Sequence, residues 1–235
     1  MNSFNINNLI RPNVKAMKAY SSARDEFQEI NDDFVFLDAN ENPFNNGLNR
    51  YPDPLQRSVK LILSELKKFP ANQILLGNGS DEVLDLIFRA FCEPNQDNVI
   101  AISPSYGMYG VLANLNAIEY RKSLLNEEDF QPNIKDIFSK VDDKTKMIFL
   151  CSPNNPTGKI IKRESILEIV NRFNGLVIID EAYVDFARET SWIEEIKNYP
   201  NAIVTQTLSK AVGLAGIRLG ILYASQEIVD VLNKI

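Results

Sequence analysis

Apolar residues recur along this chain in two alternating patterns, one typical of helices and one typical of buried strands. Helical spacing begins after residue 54, where the apolar positions are Leu55, Val59, Ile62, Leu63 and Leu66. Short apolar runs bounded by turn residues predict strands at 73–76, 99–102, 147–151, 176–180, 202–207 and 218–223. Further helices are predicted after a cap at Ser80, at 106–116, at 163–173 and from residue 226. This alternation predicts an α/β fold with a mostly parallel sheet between helices.

The first 54 residues have a different, more polar pattern. They predict a short helix at 13–26, a short strand at 34–38 and a long loop at 40–54, which is rich in Asn, Pro and Gly. We therefore expect residues 1–45 to form an N-terminal arm with part of a small domain. Residues 46–235 are expected to form the large domain, with its C-terminal end incomplete because the chain stops inside its last helical pattern.

Composition narrows the classes of function. The 235 residues carry a net charge of −6, which disfavours binding to nucleic acids or anionic membranes. Two cysteines form no disulfide framework, and neither a membrane span nor a signal peptide is recognisable, so we expect a cytoplasmic protein. The chain has no histidine, which removes histidine bases and histidine metal ligands, and we expect no metal site.

Polar residues cluster where the predicted strands end, which is where ligands bind in open α/β sheets. Lys210 is the most informative of them, because a lysine there can hold an aldehyde cofactor as a Schiff base. Thr207, Ser209 and Arg218 surround it in sequence and can bind a phosphate. The turn at Gly79 precedes a helix whose first amide groups can also meet a phosphate.

Two classes of nucleotide-binding protein fit this sequence poorly. The strand that ends in Asp180 resembles the magnesium-binding strand of P-loop NTPases, but the chain lacks the required glycine-rich loop with a Lys-Ser or Lys-Thr ending. The Gly77-x-Gly79 pair resembles half of a dinucleotide-binding fingerprint, and Glu82 occupies the third glycine position.

The loop Ser152-Pro-Asn-Asn-Pro-Thr-Gly158 resembles the S-x-N-N-P-T-G loop of fold type I aminotransferases that use pyridoxal 5′-phosphate (PLP). The resemblance implies the fold of that class, a mostly parallel seven-stranded sheet between helices, with PLP as cofactor. It makes Lys210 the Schiff-base lysine and pairs Asp180 with the pyridine nitrogen. Asn155 and Tyr183 match the partners of the ring's phenolic oxygen, and Tyr106 matches the residue that stacks on the ring. The implied phosphate ligands are Gly79, Ser80, Asp81, Thr207, Ser209 and Arg218.

Residues 37–43 and 50–54 resemble the histidinol-phosphate aminotransferase family more closely. This resemblance implies a homodimer in which Tyr51 reaches the cofactor phosphate of the partner subunit. Tyr20 matches a residue that encloses the substrate, and Asn40 and Glu41 lie in a segment on the substrate side. The implied reaction exchanges an amino group between L-histidinol phosphate and 2-oxoglutarate.

Several alternatives stay open at this point. Threonine-phosphate decarboxylases and aromatic aminotransferases share most of these motifs. Chains of this family continue past the position of Ile235 into a small domain with substrate-binding arginines, so we expect a truncated chain. A PLP-binding domain without turnover, or an α/β domain that binds no PLP, are the non-enzymatic alternatives.

Overall fold

A computed structural model describes residues 4–19, 35, 37, 39–188 and 190–235. Its strands are β1 (Ile74–Asn78), β2 (Asn98–Ser103), β3 (Glu119–Leu124), β4 (Thr145–Cys151), β5 (Leu176–Asp180), β6 (Ala202–Thr207) and β7 (Leu219–Tyr223). Its α-helices are α1 (Pro12–Ala16), α2 (Arg57–Lys67), α3 (Ser80–Phe91), α4 (Met108–Leu115), α5 (Ile134–Ser139), α6 (Arg163–Arg172) and α7 (Gln226–Leu232).

The seven strands form one sheet in the order β1-β7-β6-β5-β4-β2-β3. Strands β2 to β6 pair in parallel, whereas β7 is antiparallel to both β1 and β6. The predicted mostly parallel seven-stranded α/β sheet is therefore confirmed. Parallel pairing brings the carboxyl ends of β4, β5 and β6 to the same edge of the sheet.

Each face of the sheet carries its own apolar core, and β5 contributes to both. Leu176 and Ile178 belong to the cluster that contains α3 and α4, whereas Val177 and Ile179 belong to the cluster on the opposite face. Successive side chains of a strand point to opposite faces, so the strand end continues this alternation. Asp180 consequently faces α4, and the next residue, Glu181, faces the other core.

Some sequence predictions differ from the structure. The first helix ends at Ala16, and residues 20–26 of the predicted helix lie outside the described residues. In the predicted strand at 34–38, residues 35 and 37 have no strand structure, and the other three positions lie outside the described residues. Ser80 is the first residue of α3 and not its cap, because Gly79 occupies the cap position with φ of 82°. The division into two domains at residue 45 stays a prediction.

Candidate active site

A cleft opens at the shared carboxyl edge of β4, β5 and β6, between the start of α3 and the segment after β6. It is lined by Ser80, Asp81, Tyr106, Cys151, Asp180, Ala182, Tyr183, Thr207, Ser209, Lys210 and Arg218. Nine of the predicted site residues thus lie around one cleft, although they come from distant parts of the chain. The sheet topology brings them together, because the ends of β5 and β6, the segments after β2, β5 and β6, the start of α3 and the segment before β7 all meet at this edge.

Asp180 lies at the base of the cleft and is almost fully buried. Its Oδ2 accepts a hydrogen bond from the Tyr109 hydroxyl at 2.5 Å, and its Oδ1 accepts from the Thr205 hydroxyl at 3.1 Å. The Ala182 N–H also donates to Oδ1, at 3.2 Å. Burial raises the pKa of the Asp180 carboxyl, and these three donors act in the opposite direction. A cation placed beside this carboxylate would be strongly stabilised, since little water competes.

Lys210 lies on the open side of the same cleft, three residues after β6 ends. Its Nζ is 5.5 Å from the centroid of the Tyr183 ring. Before it, the Thr207 hydroxyl donates to Ser209 Oγ at 3.0 Å and accepts from the Ser209 N–H at 3.2 Å. These two contacts fix a tight turn that directs Lys210 away from the strand and presents two hydroxyl groups beside it.

Gly79 and Arg218 form the anion-binding end of the cleft. No side chain caps the first turn of α3, so its amide groups remain available to an anion, as at other phosphate-binding helix starts. The Gly79 N–H donates to the Arg218 carbonyl at 2.9 Å, which ties the two segments together. A Cβ on Gly79 would lie 2.4 Å from Arg218 Nη2, so only glycine allows the guanidinium to approach this closely. A bidentate guanidinium beside a helix start is well suited to phosphate.

Tyr106 forms the side of the cleft that faces α3. Its hydroxyl donates to Asp81 Oδ1 at 3.0 Å, and its ring packs edge-on against Tyr109 with centroids 5.6 Å apart. Burial raises the pKa of the Tyr106 hydroxyl, and the adjacent Asp81 carboxylate raises it further. The hydroxyl therefore stays protonated, and Tyr106 can act as a fixed aromatic wall.

The loop between β4 and α6 is held by Asn154. This side chain is buried, accepts from the Ser105 hydroxyl at 2.7 Å and donates to the Pro104 carbonyl at 3.0 Å. Asn155 lines an adjacent cavity together with Tyr183 and Phe186, and it is absent from the lining of the main cleft. Its role toward a cofactor stays a prediction, whereas Tyr183 borders both cavities.

The remaining predicted residues do not line the cleft. Glu41 Oε1 accepts from the Tyr51 N–H at 2.6 Å, and its Oε2 accepts from Arg50 at 2.8 Å, so this carboxylate fixes the loop at 41–51. Asn40 lies on the surface, and the Tyr51 side chain is 71% exposed, accessible to a second subunit. Tyr20 lies outside the described residues.

The sequence pattern does not single out Tyr109, although its hydroxyl contacts the Asp180 carboxylate. The available signal was a second tyrosine three residues after Tyr106, on the same face of the predicted helix. Such a pair is equally typical of core packing, so the pattern alone did not distinguish the two roles. Within the described residues, no three Cys, Asp or Glu side chains are grouped as they would be around a metal ion.

Comparisons with known proteins give the family of the chain. Residues 23–235 match the model of the family described as aminotransferase class I and II. The histidinol-phosphate aminotransferase of Flavobacterium psychrophilum is 60% identical over 235 residues, which are all of this chain and 68% of that protein.

Two solved structures share the fold. The histidinol-phosphate aminotransferase of Clostridium acetobutylicum has a TM-score of 0.69 at 28% identity, covering 79% of this chain and 55% of that chain. The Sinorhizobium meliloti enzyme of the same name, in complex with PLP, has a TM-score of 0.72 at 23% identity over 79% and 51% of the two chains. The chain thus spans about half the length of these structures and about two thirds of the curated relative.

Proposed function

The chain belongs to the class I and II aminotransferases and, within them, to the histidinol-phosphate aminotransferase family, and from this premise we propose that it is a PLP-dependent transaminase. The reaction exchanges the amino group of L-histidinol phosphate with 2-oxoglutarate and yields imidazole-acetol phosphate and L-glutamate. The observation that carries the proposal is the placement of Asp180, Lys210 and Arg218 around one cleft.

The residues of the cleft offer partners for the phosphate, the ring nitrogen, the ring and the aldehyde carbon of PLP. The helix start at Gly79, together with Ser80, Thr207, Ser209 and Arg218, would hold the phosphate. Asp180 would pair with the ring nitrogen, and Tyr106 and Tyr183 would contact the ring. Lys210 would hold the aldehyde carbon covalently. When bound, PLP supplies an electron sink for the bond that breaks at the substrate carbon.

The proposal assigns the catalytic roles to two side chains, Asp180 and Lys210. Asp180 would keep a proton on the ring nitrogen through its negative charge, which requires that the buried carboxyl stay ionised. The Lys210 amine would act as a positioned general base and acid, taking the proton from the amino-bearing carbon of the substrate and returning it at the former aldehyde carbon of the cofactor. The aromatic wall at Tyr106 limits access of water to this proton transfer.

We also propose that the protein acts as a homodimer in the cytoplasm. An apolar stripe on α2, formed by Val59, Ile62 and Leu66 and extended by Leu55, is exposed in the single chain, with Leu66 71% exposed. The stripe follows directly after the loop that carries Tyr51, so a second copy seated here would meet both. Both cysteines are free and buried, and no helix in the described part of the chain has the length and apolarity needed to cross a membrane.

The cofactor test is optical. The protein mixed with PLP should develop the visible absorption of a lysine-bound cofactor, and Lys210→Ala should lose that band. Lys122→Ala removes an exposed lysine of β3 and serves as the matched control. Equal spectra for the parent and Lys210→Ala would contradict the assignment.

Substrate identity requires a separate assay. Rates with histidinol phosphate, phenylalanine and threonine phosphate as amino donors should differ, with histidinol phosphate the best. A protein that binds PLP and turns over none of them would instead be a cofactor-binding domain.

Ile62→Glu, placed in the apolar stripe, should shift sedimentation from dimer to monomer, and Glu65→Gln on the same helix should not.

A further inference from the structure

Tyr109 is a fully buried residue whose hydroxyl contacts the Asp180 carboxylate at the base of the cleft. Its hydroxyl donates to Asp180 Oδ2 at 2.5 Å, across 71 positions of sequence. The distance is at the short end for hydrogen bonds between hydroxyls and carboxylates. Tyr109 belongs to α4, whereas Asp180 ends β5, so the contact joins the helix layer to the edge of the sheet.

The ring of Tyr109 is fixed by aromatic neighbours on its two sides. It stacks on Phe149 with centroids 4.9 Å apart, and Phe149 in turn stacks on Phe88 at 5.3 Å. Tyr106 packs edge-on against it at 5.6 Å. Because this packing holds the Tyr109 ring in place, the position of its hydroxyl relative to the Asp180 carboxylate is fixed.

The donors around Asp180 leave acceptor capacity on one oxygen. Oδ1 accepts from the Thr205 hydroxyl and the Ala182 N–H, whereas Oδ2 accepts from Tyr109 alone among the described residues. A carboxylate oxygen has about two acceptor positions, so Oδ2 retains one. We propose that Tyr109 is a positioning residue that orients the Asp180 carboxylate and keeps it ionised, so that Oδ2 can hold the ring nitrogen of the cofactor.

The electrostatic surroundings support this role. Burial raises the pKa of Asp180, and the Tyr109 hydrogen bond opposes that effect; the Asp81 carboxylate nearby adds to the rise. Burial also raises the pKa of Tyr109, and the Asp180 charge and the buried Cys151 thiol raise it further. Tyr109 therefore remains a protonated donor whenever Asp180 is charged.

The inference rests on the proposed function, and its first test avoids the cofactor. In the cofactor-free protein, infrared difference spectra across a pH series should report the titration of the Asp180 carboxyl, assigned by its loss in Asp180→Asn. Tyr109→Phe keeps the aromatic column and should move this titration to higher pH. Tyr120→Phe is the matched control, because its half-buried ring also packs against α4, at Gly110, without contacting Asp180.

The second test uses PLP labelled with ¹⁵N in its ring. In Tyr109→Phe the nitrogen resonance should move toward that of an unprotonated ring, and kcat should fall about 10-fold, as for a lost hydrogen bond to a charged group. Tyr120→Phe should leave both unchanged. Failure of the parent to bind PLP would refute the proposed function, and the carboxyl titration would still decide the role of Tyr109.

A third measurement needs no Tyr109 variant and so covers the case in which Tyr109→Phe does not fold. In the parent protein, the Tyr109 hydroxyl proton should give a downfield NMR resonance protected from exchange, and Asp180→Asn should shift or remove it. An unchanged Asp180 titration and an unchanged ring nitrogen in a folded Tyr109→Phe would overturn the proposal. So would a hydroxyl resonance that is insensitive to Asp180→Asn.

Discussion

Substituting Gly220 by alanine should destabilise the protein and weaken cofactor binding together. Gly220 lies in β7, directly against the turn that joins β1 to α3. A Cβ at this position would lie 2.3 Å from the Gly79 carbonyl carbon and 2.4 Å from both the Gly79 oxygen and the Ser80 nitrogen. All three atoms are backbone, so no flexible side chain can move aside.

The size of the effect follows from these distances. The optimal separation of non-bonded carbon atoms is about 3.5–4.0 Å, so the turn between β1 and α3 must move away from Gly220 by about 1 Å or more. Overpacking a well-packed site costs about 1–3 kcal/mol, and this contact is at the upper end because it is backbone against a strand. We therefore expect a loss of about 3 kcal/mol, which corresponds to a fall in Tm of about 6–12 °C for a chain of this size.

The affinity for PLP should also change when the turn between β1 and α3 is displaced. The Ser80 amide belongs to the helix start that we assign to the phosphate, so a retreat of the turn should raise the dissociation constant of PLP about 10-fold or more. Thermal unfolding of the cofactor-free protein and equilibrium titration with PLP measure the two effects independently.

Gly216→Ala is the matched control for Gly220→Ala. No atom lies within 4 Å of the position a Cβ would take at Gly216, and its φ is not positive. This variant should be neutral or more stable by about 0.4–1 kcal/mol, because alanine restricts the unfolded chain. A Gly220→Ala protein that melts within about 2 °C of the parent and binds PLP equally well would refute the steric reasoning.

Three other substitutions test separate parts of the site. Asp180→Asn should lower the rate of amino transfer about 100-fold without lowering the Tm of the cofactor-free protein, because it removes a charge that burial disfavours; a rate within a few-fold of the parent would count against Asp180. Arg218→Lys should raise the dissociation constant of PLP about 10-fold, since an ammonium group cannot bind phosphate in the bidentate manner, and fluorescence titration measures it; unchanged affinity would remove Arg218 from the phosphate site. Burial raises the pKa of the Glu181 carboxyl above its usual value of 4.5, so the folded protein binds a proton at Glu181 more tightly than the unfolded chain does. The stability that this proton contributes is lost as pH rises from 4.5 through the pKa of the folded state. Urea unfolding at several pH values should show the advantage of the parent over Glu181→Gln shrinking as pH rises, and a growing advantage would contradict the sign.

The strands that the sequence predicted best are those in the middle of the sheet. Leu176–Asp180 and Ala202–Thr207 are buried along their whole length, and each begins with an apolar run, at 176–179 and 202–204. Strand β3 was missed because it is an edge strand, Glu119–Leu124, and only one of its six residues is buried. Its stability comes from pairing with β2, which no local pattern encodes. Helix α5 has only six residues, too few to establish helical periodicity.

The site was predictable where function coincides with strand ends. Asp180 ends β5 and Lys210 follows β6, and the rule that ligands bind at this edge was sufficient to relate them. Tyr109 illustrates the limit of that rule, because its hydroxyl reaches the site from the helix layer above the sheet. Which of two tyrosines three positions apart meets the Asp180 carboxylate depends on the packing of α4 on Phe149, a contact fixed only in the folded chain.

The two adjacent carboxylates at the end of β5 show why burial alone does not assign a function. Glu181 is as buried as Asp180, and it also accepts three hydrogen bonds, from the Ser191 hydroxyl, the Trp192 N–H and the Gln206 amide. The alternation of the strand sends it to the opposite face, where those partners hold the segment at 191–192 against the core. Of these two carboxylates, Asp180 lines the cleft described above and Glu181 does not, so the charge of Asp180 can act on a ligand bound there. Neutralising each in turn should therefore separate the two roles: Asp180→Asn should affect catalysis and Glu181→Gln stability, although a single peptide bond joins them.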